Sequence, residues 1–138
     1  MSQQFKYPVR LLSSADSSKD EIPLLELVQG RNTVLDLWHT RCTRCPAALD
    51  QLNDEAAEHP EVQFIACALT LGEGDMERVQ QMIVRWPNLQ HVFLGEDAKE
   101  RIKDEFSVTS VPYSIVVNEV KSNFKFCCIE PVHNFNIC

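Results

Sequence analysis

No stretch of this 138-residue chain approaches the ~20 consecutive apolar residues of a membrane-spanning helix. Its opening segment, MSQQFKYPVRLLSSADSSKDE, holds no apolar core of signal-peptide length. The expected compartment is therefore the cytosol. Positive charge is also short, and the net charge is −7. Binding nucleic acid through phosphates needs a basic face, and so does holding to an anionic membrane; neither partner is expected. The sequence shows no internal repeat, no low-complexity linker and no second Cys-x-x-Cys. What remains is a chain of single-domain length, 44% hydrophobic and 24% charged, in the ordinary range for a globular protein.

Strand and helix patterns alternate along it. YPVRLLS reads as an edge strand, because Pro8 fits only an edge or a strand start. KDEIPLLELVQ reads as a helix capped by Ser17 or Ser18 and stopped at Gly30, with Pro23 near its first turn. TVLDLW (33–38) and VQFIACALT (62–70) are short, apolar and bounded, as buried strands are. Between them Cys42, Cys45, Leu49, Leu52 and Ala56 recur at steps of three and four, one stripe of a helix that His59-Pro60 ends. Helices are predicted over 75–86 and 96–106, with an Asp97–Arg101 pair on the wet side of the second. HVFLG, YSIVVN (113–118) and FKFCCI (124–129) read as strands. This order predicts an α/β domain, a sheet with helices on both faces, built from residues 1–118 and completed by a last strand and an atypical tail over 119–138.

The chemistry concentrates in WHTRCTRCPAALDQLN. Cys42 lies at the expected helix start, where free N–H groups and the helix dipole favour a negative sulfur. Arg41 and Arg44 add positive charge beside it. Both effects stabilise the thiolate, the reactive form. Cys45 lies one turn further, on the apolar stripe. Cys42 is thus the candidate nucleophile and Cys45 the resolving thiol. Pro46 cannot donate to the Cys42 carbonyl, so that carbonyl stays free or the regular helix begins later. Asp36 shares a strand face with Val34 and Trp38. A carboxylate buried there has a raised pKa and is placed to take the proton of Cys45; at a sheet edge it is merely solvated.

Asp36, Trp38, Cys42, Cys45 and Pro46, spaced D-x-W-x-x-x-C-x-x-C-P, resemble the active-site segment of the thioredoxin superfamily. Val111-Pro112, between a helix and a strand, resembles that family's cis-proline, and the additional helix before it is similar to the tryparedoxin and nucleoredoxin branch. The resemblance spans roughly 33–118. It implies a thioredoxin-like fold, a mixed central sheet with helices on both faces. It implies a protein-disulfide reductase, with Asp36 as proton acceptor and with Trp38, Arg41, Thr43, Arg44, Val111 and Pro112 at the substrate-docking site. It implies no cofactor and no metal, disulfide-containing protein substrates, and an upstream reductase or small thiol as electron donor. Arg41, the Thr43-Arg44 pair and Pro46 depart from the residues usual in relatives, which bears on substrate and potential. The two arginines point to a couple more oxidising than the about −270 mV of thioredoxin itself.

Other readings compete. A zinc site needs four ligands, and the remaining cluster, Cys127, Cys128 and His133, sets adjacent cysteines on opposite strand faces. A permanent structural disulfide is disfavoured in a reducing cytosol. A peroxidase needs a motif around Cys42 that is absent. The main rival is a redox-regulated binding subunit of a larger complex. Cys67 reads as a small core residue, and His39 as a loop residue ahead of the cysteines. The final helix usual in relatives has no counterpart in FKFCCIEPVHNFNIC, which leaves a sheet face for a partner or a second copy.

Overall fold

A computed structural model describes residues 5–12, 21–120 and 123–129, with backbone alone for 118–120 and 123–129. The expectations for Ser17, Ser18, His133 and the tail beyond Ile129 lie outside the described residues. Seven strands form one mixed sheet in the order β2-β1-β5-β4-β3-β6-β7. These are β1 (Pro8–Leu12), β2 (Glu21–Pro23), β3 (Thr33–Trp38), β4 (Gln63–Leu69), β5 (Gln90–Leu94), β6 (Tyr113–Val120) and β7 (Asn123–Ile129). β3, β4 and β5 run parallel; β1, β6 and β7 pair antiparallel with their neighbours. The helices are α1 (Leu24–Val28), α2 (Cys45–Glu58), α3 (Asp75–Met82) and α4 (Glu96–Glu105).

The two-residue period of the central strands divides the core in two. Leu35, Leu37, Ile65, Cys67 and Leu69 face a cluster completed by Leu24 and Val28 of α1 and by Ala98 and Ile102 of α4. Val34, Trp38, Phe64, Ala66 and Ala68 face the opposite cluster, completed by Cys45, Leu49 and Leu52 of α2 and Val79 of α3. Strands buried on both faces explain why TVLDLW and QFIACAL are near-continuous apolar runs without alternation.

Four local expectations need correction. The helix expected over KDEIPLLELVQ is only five residues, Leu24–Val28. Pro23 biases Ile22 to extended backbone, and Glu21–Pro23 pairs with β1 instead. That pairing also moves β1 off the sheet edge; Pro8 stands at its first position, paired with Pro23. α2 begins at Cys45, not Cys42. Since Pro46 has no N–H, the Cys42 carbonyl accepts from the Cys45 amide at 3.3 Å, a tight turn ahead of the regular helix. Finally, the helix expected over 75–86 tightens into a 3-10 turn at Ile83–Arg85, before Pro87. Asp97 and Arg101 do pair, at 3.4 Å.

Candidate active site

Every element of the site meets at one end of the sheet. The loop after β3 carries His39 to Arg44, and α2 starts at its end. The loop after β4 runs from Thr70 to Gly74. Because β6 is antiparallel to β3, the segment that enters it, Val111-Pro112, lies at that same end. The carboxyl ends of parallel strands are where open α/β sheets bind their ligands.

Cys42 and Cys45 form a disulfide, with Cα atoms 5.3 Å apart. The partners are unequal: Cys45 is fully buried, and Cys42 half-buried. The Cys42 sulfur lies 3.6 Å from the Val111 carbonyl oxygen. The Val111–Pro112 peptide is cis. Arg41, Thr43 and Arg44 are exposed around Cys42. Neither arginine makes an ion pair among the described residues.

Asp36 is 3% exposed, in the middle of β3. It shares the α2-facing side of the sheet with Val34 and Trp38, in the cluster that encloses Cys45. Ser114 sits directly opposite it on β6, and its Oγ donates to Asp36 Oδ1 at 2.9 Å. Asp36 is therefore a buried acid with a fixed donor, on the side of the sheet that α2 covers. The alternative of a solvated Asp36 at a sheet edge is thus overturned, because β3 is flanked by β4 and β6.

Trp38 is the one expected docking residue that the structure removes from the surface. It is fully buried and packs edge-on against Trp86, with ring centroids 5.5 Å apart. A residue on an interior strand, facing α2, supports the cysteine turn from below and has no surface to offer a substrate. α2 is fastened from its other side as well. Asp50 accepts from Arg85 Nε and Nη2 at 2.9 and 2.6 Å and from Trp86 Nε1 at 2.7 Å. The Arg85 bond holds the Asp50 carboxyl below its usual range.

Two residues that carry no motif also shape the site. Asp75, buried at the first position of α3, accepts from Thr40 Oγ1 at 2.7 Å and from the Leu71 N–H at 3.2 Å. It ties the loop ahead of the cysteines to the loop after β4. His39 accepts the Arg41 N–H through Nδ1 at 3.2 Å, and its backbone carbonyl accepts from the Cys42 N–H at 3.2 Å. Burial, then the Lys99 charge, lowers the His39 pKa. Cys67 is buried and free, and burial, then the charge of Asp36, pushes its thiol up.

No protein-family profile and no curated protein matches the sequence. Solved structures do match, and what they share with this chain is a thioredoxin-like fold. The structure of MTB DsbF in mixed oxidized and reduced forms superposes at TM-score 0.65 with 20% identity, covering 90% of this chain and 84% of its own. A secreted Mycobacterium tuberculosis disulfide oxidoreductase homologous to E. coli DsbE gives TM-score 0.63 at 21% identity over 91% of this chain and 86% of its own. The exposed lipoprotein thioredoxin Etrx1 of Streptococcus pneumoniae gives TM-score 0.65 at 13% identity over 94% and 93%. At these identities the likeness is one of fold.

Proposed function

We propose that this chain is a thiol-disulfide oxidoreductase that uses the Cys42–Cys45 dithiol to reduce disulfides in protein substrates. The observation that carries the reading is the half-exposed Cys42 sulfur, bonded to buried Cys45 and set beside the Val111 carbonyl. In the reduced protein the Cys42 thiolate attacks one sulfur of the substrate. The substrate S–S bond breaks, its other sulfur leaves as a thiolate, and a mixed disulfide forms. Cys45 passes its proton toward Asp36 and attacks the Cys42 sulfur. The mixed disulfide breaks, the second substrate sulfur leaves, and the internal disulfide closes. Two electrons have moved from the dithiol to the substrate, and the leaving thiolates take up two protons. An upstream reductase or small thiol reverses the sequence on the enzyme. Val111, Pro112 and the exposed Arg41, Thr43 and Arg44 form the docking surface, and the cytosol is the proposed setting.

Reduction of insulin by the thiol-regenerated protein tests this. Turnover is expected to vanish in Cys42→Ser, and Cys45→Ser is expected to accumulate substrate mixed disulfides. Turnover that survives Cys42→Ser overturns the reading. So does negligible turnover together with a stable partner in pull-downs, which assigns the chain to the binding-subunit class.

A further inference from the structure

A cleft of about 180 Å³ opens beside Cys42, walled by the loop after β3, the loop after β4, α4 and the segment entering β6. Its polar lining is His39, Lys99, Lys103, Thr109 and Ser110, with Val111 at one end. Two of these residues touch Cys42 itself. His39 accepts the Cys42 amide at 3.2 Å, and the Val111 carbonyl lies 3.6 Å from the sulfur. The cleft therefore shares two residues with the immediate surroundings of Cys42.

Its charge is of one sign. No acid is among the residues lining it, although the whole chain carries −7. Lys99 and Lys103 stand one helical turn apart on the same face of α4. Lys99 is held in place, donating through Nζ to the Thr70 carbonyl at 2.8 Å. Both lysines are only half-exposed. Burial first, then the charge of Lys99 and, less, that of Lys103, lowers the pKa of His39, against the opposing charge of Asp75. The hydroxyls of Thr109 and Ser110 supply further donors. The nearest acid behind the lining, Asp75, is buried and already accepts from Thr40 Oγ1 and the Leu71 N–H, so the charged groups facing the cleft are the two lysines.

We propose that this cleft selects disulfide substrates carrying a carboxylate near the reacting sulfur. The carboxylate seats between Lys99 and Lys103 while the disulfide meets Cys42. The consequence for turnover rests on the oxidoreductase reading; the anion site itself does not. The electrons still come from the Cys42–Cys45 dithiol, and the cleft only positions.

The test uses the full chain in its reduced form and three disulfides of similar size. These are neutral bis(2-hydroxyethyl) disulfide, dianionic 3,3′-dithiodipropionate and dicationic cystamine. The dianion is expected to react faster than the dication. Lys99→Gln with Lys103→Gln is expected to cut that ratio about fivefold, leaving the neutral rate unchanged. Lys103→Gln alone, which spares the Thr70 bond, gives a smaller cut in the same direction. A parallel pair, Arg41→Gln with Arg44→Gln, separates the cleft from the cations around Cys42. A ratio that falls only with the arginines, or not at all, overturns the proposal. Peptide disulfides with flanking Glu or Lys then distinguish a protein segment from a small acidic disulfide as the source of the carboxylate.

A second readout does not depend on turnover. Suberate, a dicarboxylate without sulfur, is titrated into the oxidised protein at constant ionic strength and followed by amide NMR. Shifts are expected at His39, Thr109 and Ser110 and are lost in the double lysine variant. Their absence overturns the anion site. Should insulin and the neutral disulfide both go unreduced, the oxidoreductase reading fails, and suberate still decides the cleft.

Discussion

Ser114 and Asp36 face each other across the β6–β3 pairing, and the serine hydroxyl donates to the buried carboxylate at 2.9 Å. Asp36→Asn keeps the shape and removes the proposed proton acceptor. Breakdown of the mixed disulfide is expected to slow by about a hundredfold, the middle of the range for a positioned acid-base group. Single-turnover kinetics measure that step directly. Ser114→Ala is expected to cost about 1–3 kcal/mol of stability, because the carboxylate loses its fixed donor inside the sheet. Denaturant unfolding measures the loss.

Differential alkylation separates the thiols by environment. After mild reduction at neutral pH, iodoacetamide is expected to modify Cys42 well before Cys67. Burial and the neighbouring Asp36 charge keep Cys67 protonated and inaccessible. Labelling of Cys67 should appear only on unfolding. Comparable rates for the two in the native protein contradict the buried position.

Exposed cations beside Cys42 are expected to stabilise the dithiol over the disulfide by favouring the thiolate. Replacing both Arg41 and Arg44 by Gln is expected to make the couple more reducing, by about 30 mV for each 1.4 kcal/mol lost. The equilibrium in glutathione buffers, read by mass spectrometry, gives the shift. An unchanged potential shows that the arginines serve docking alone.

Acid weakens the fold through His91. The ring is buried, donates through Nε2 to the Trp86 carbonyl at 2.8 Å, and has no partner for Nδ1 among the described residues. Burial lowers its pKa, outweighing the Trp86 carbonyl. The unfolded chain, titrating near 6.5, then binds more protons than the folded one as pH falls through that value. Stability is therefore expected to drop from about pH 6.5 downward and to level off once the folded ring is charged. Melting curves between neutral and mildly acidic pH should show this slope, and His91→Asn should reduce it, leaving the smaller part that the lowered pKa of His39 contributes.

Leu49 lies fully buried in α2, one turn beyond Cys45. Leu49→Ala is expected to cost about 2–5 kcal/mol, and chemical denaturation measures it. A loss under ~1 kcal/mol would mean that the helix carrying the cysteines is not anchored by this contact.

The sequence alone established the alternation of strands and helices, because apolar spacing changes from continuous runs to steps of three and four at each junction. It also separated the two thiols. Cys45 lies one turn into the stripe with Leu49 and Leu52, while Cys42 lies at its N-terminal tip among arginines and a threonine. These signals are local, and each is readable within one element. Where local propensity misled, a proline had a second effect. Pro23 left room for a strand pairing with β1, and Pro46 moved the helix start to Cys45.

Only the tertiary structure decided which distant residues serve the cysteines. Register put Ser114 on Asp36, and the order of strands buried both. The loop after β4 brought Asp75 to Thr40, and α4 brought Lys99 and Lys103 into the cleft that His39 and Val111 also line. Trp38, spaced as a site residue, went into the core because the period of β3 turns it toward α2. Spacing along a chain fixes which side of its own element a residue takes. What it meets there depends on pairings between segments tens of residues apart, and no local pattern encodes those.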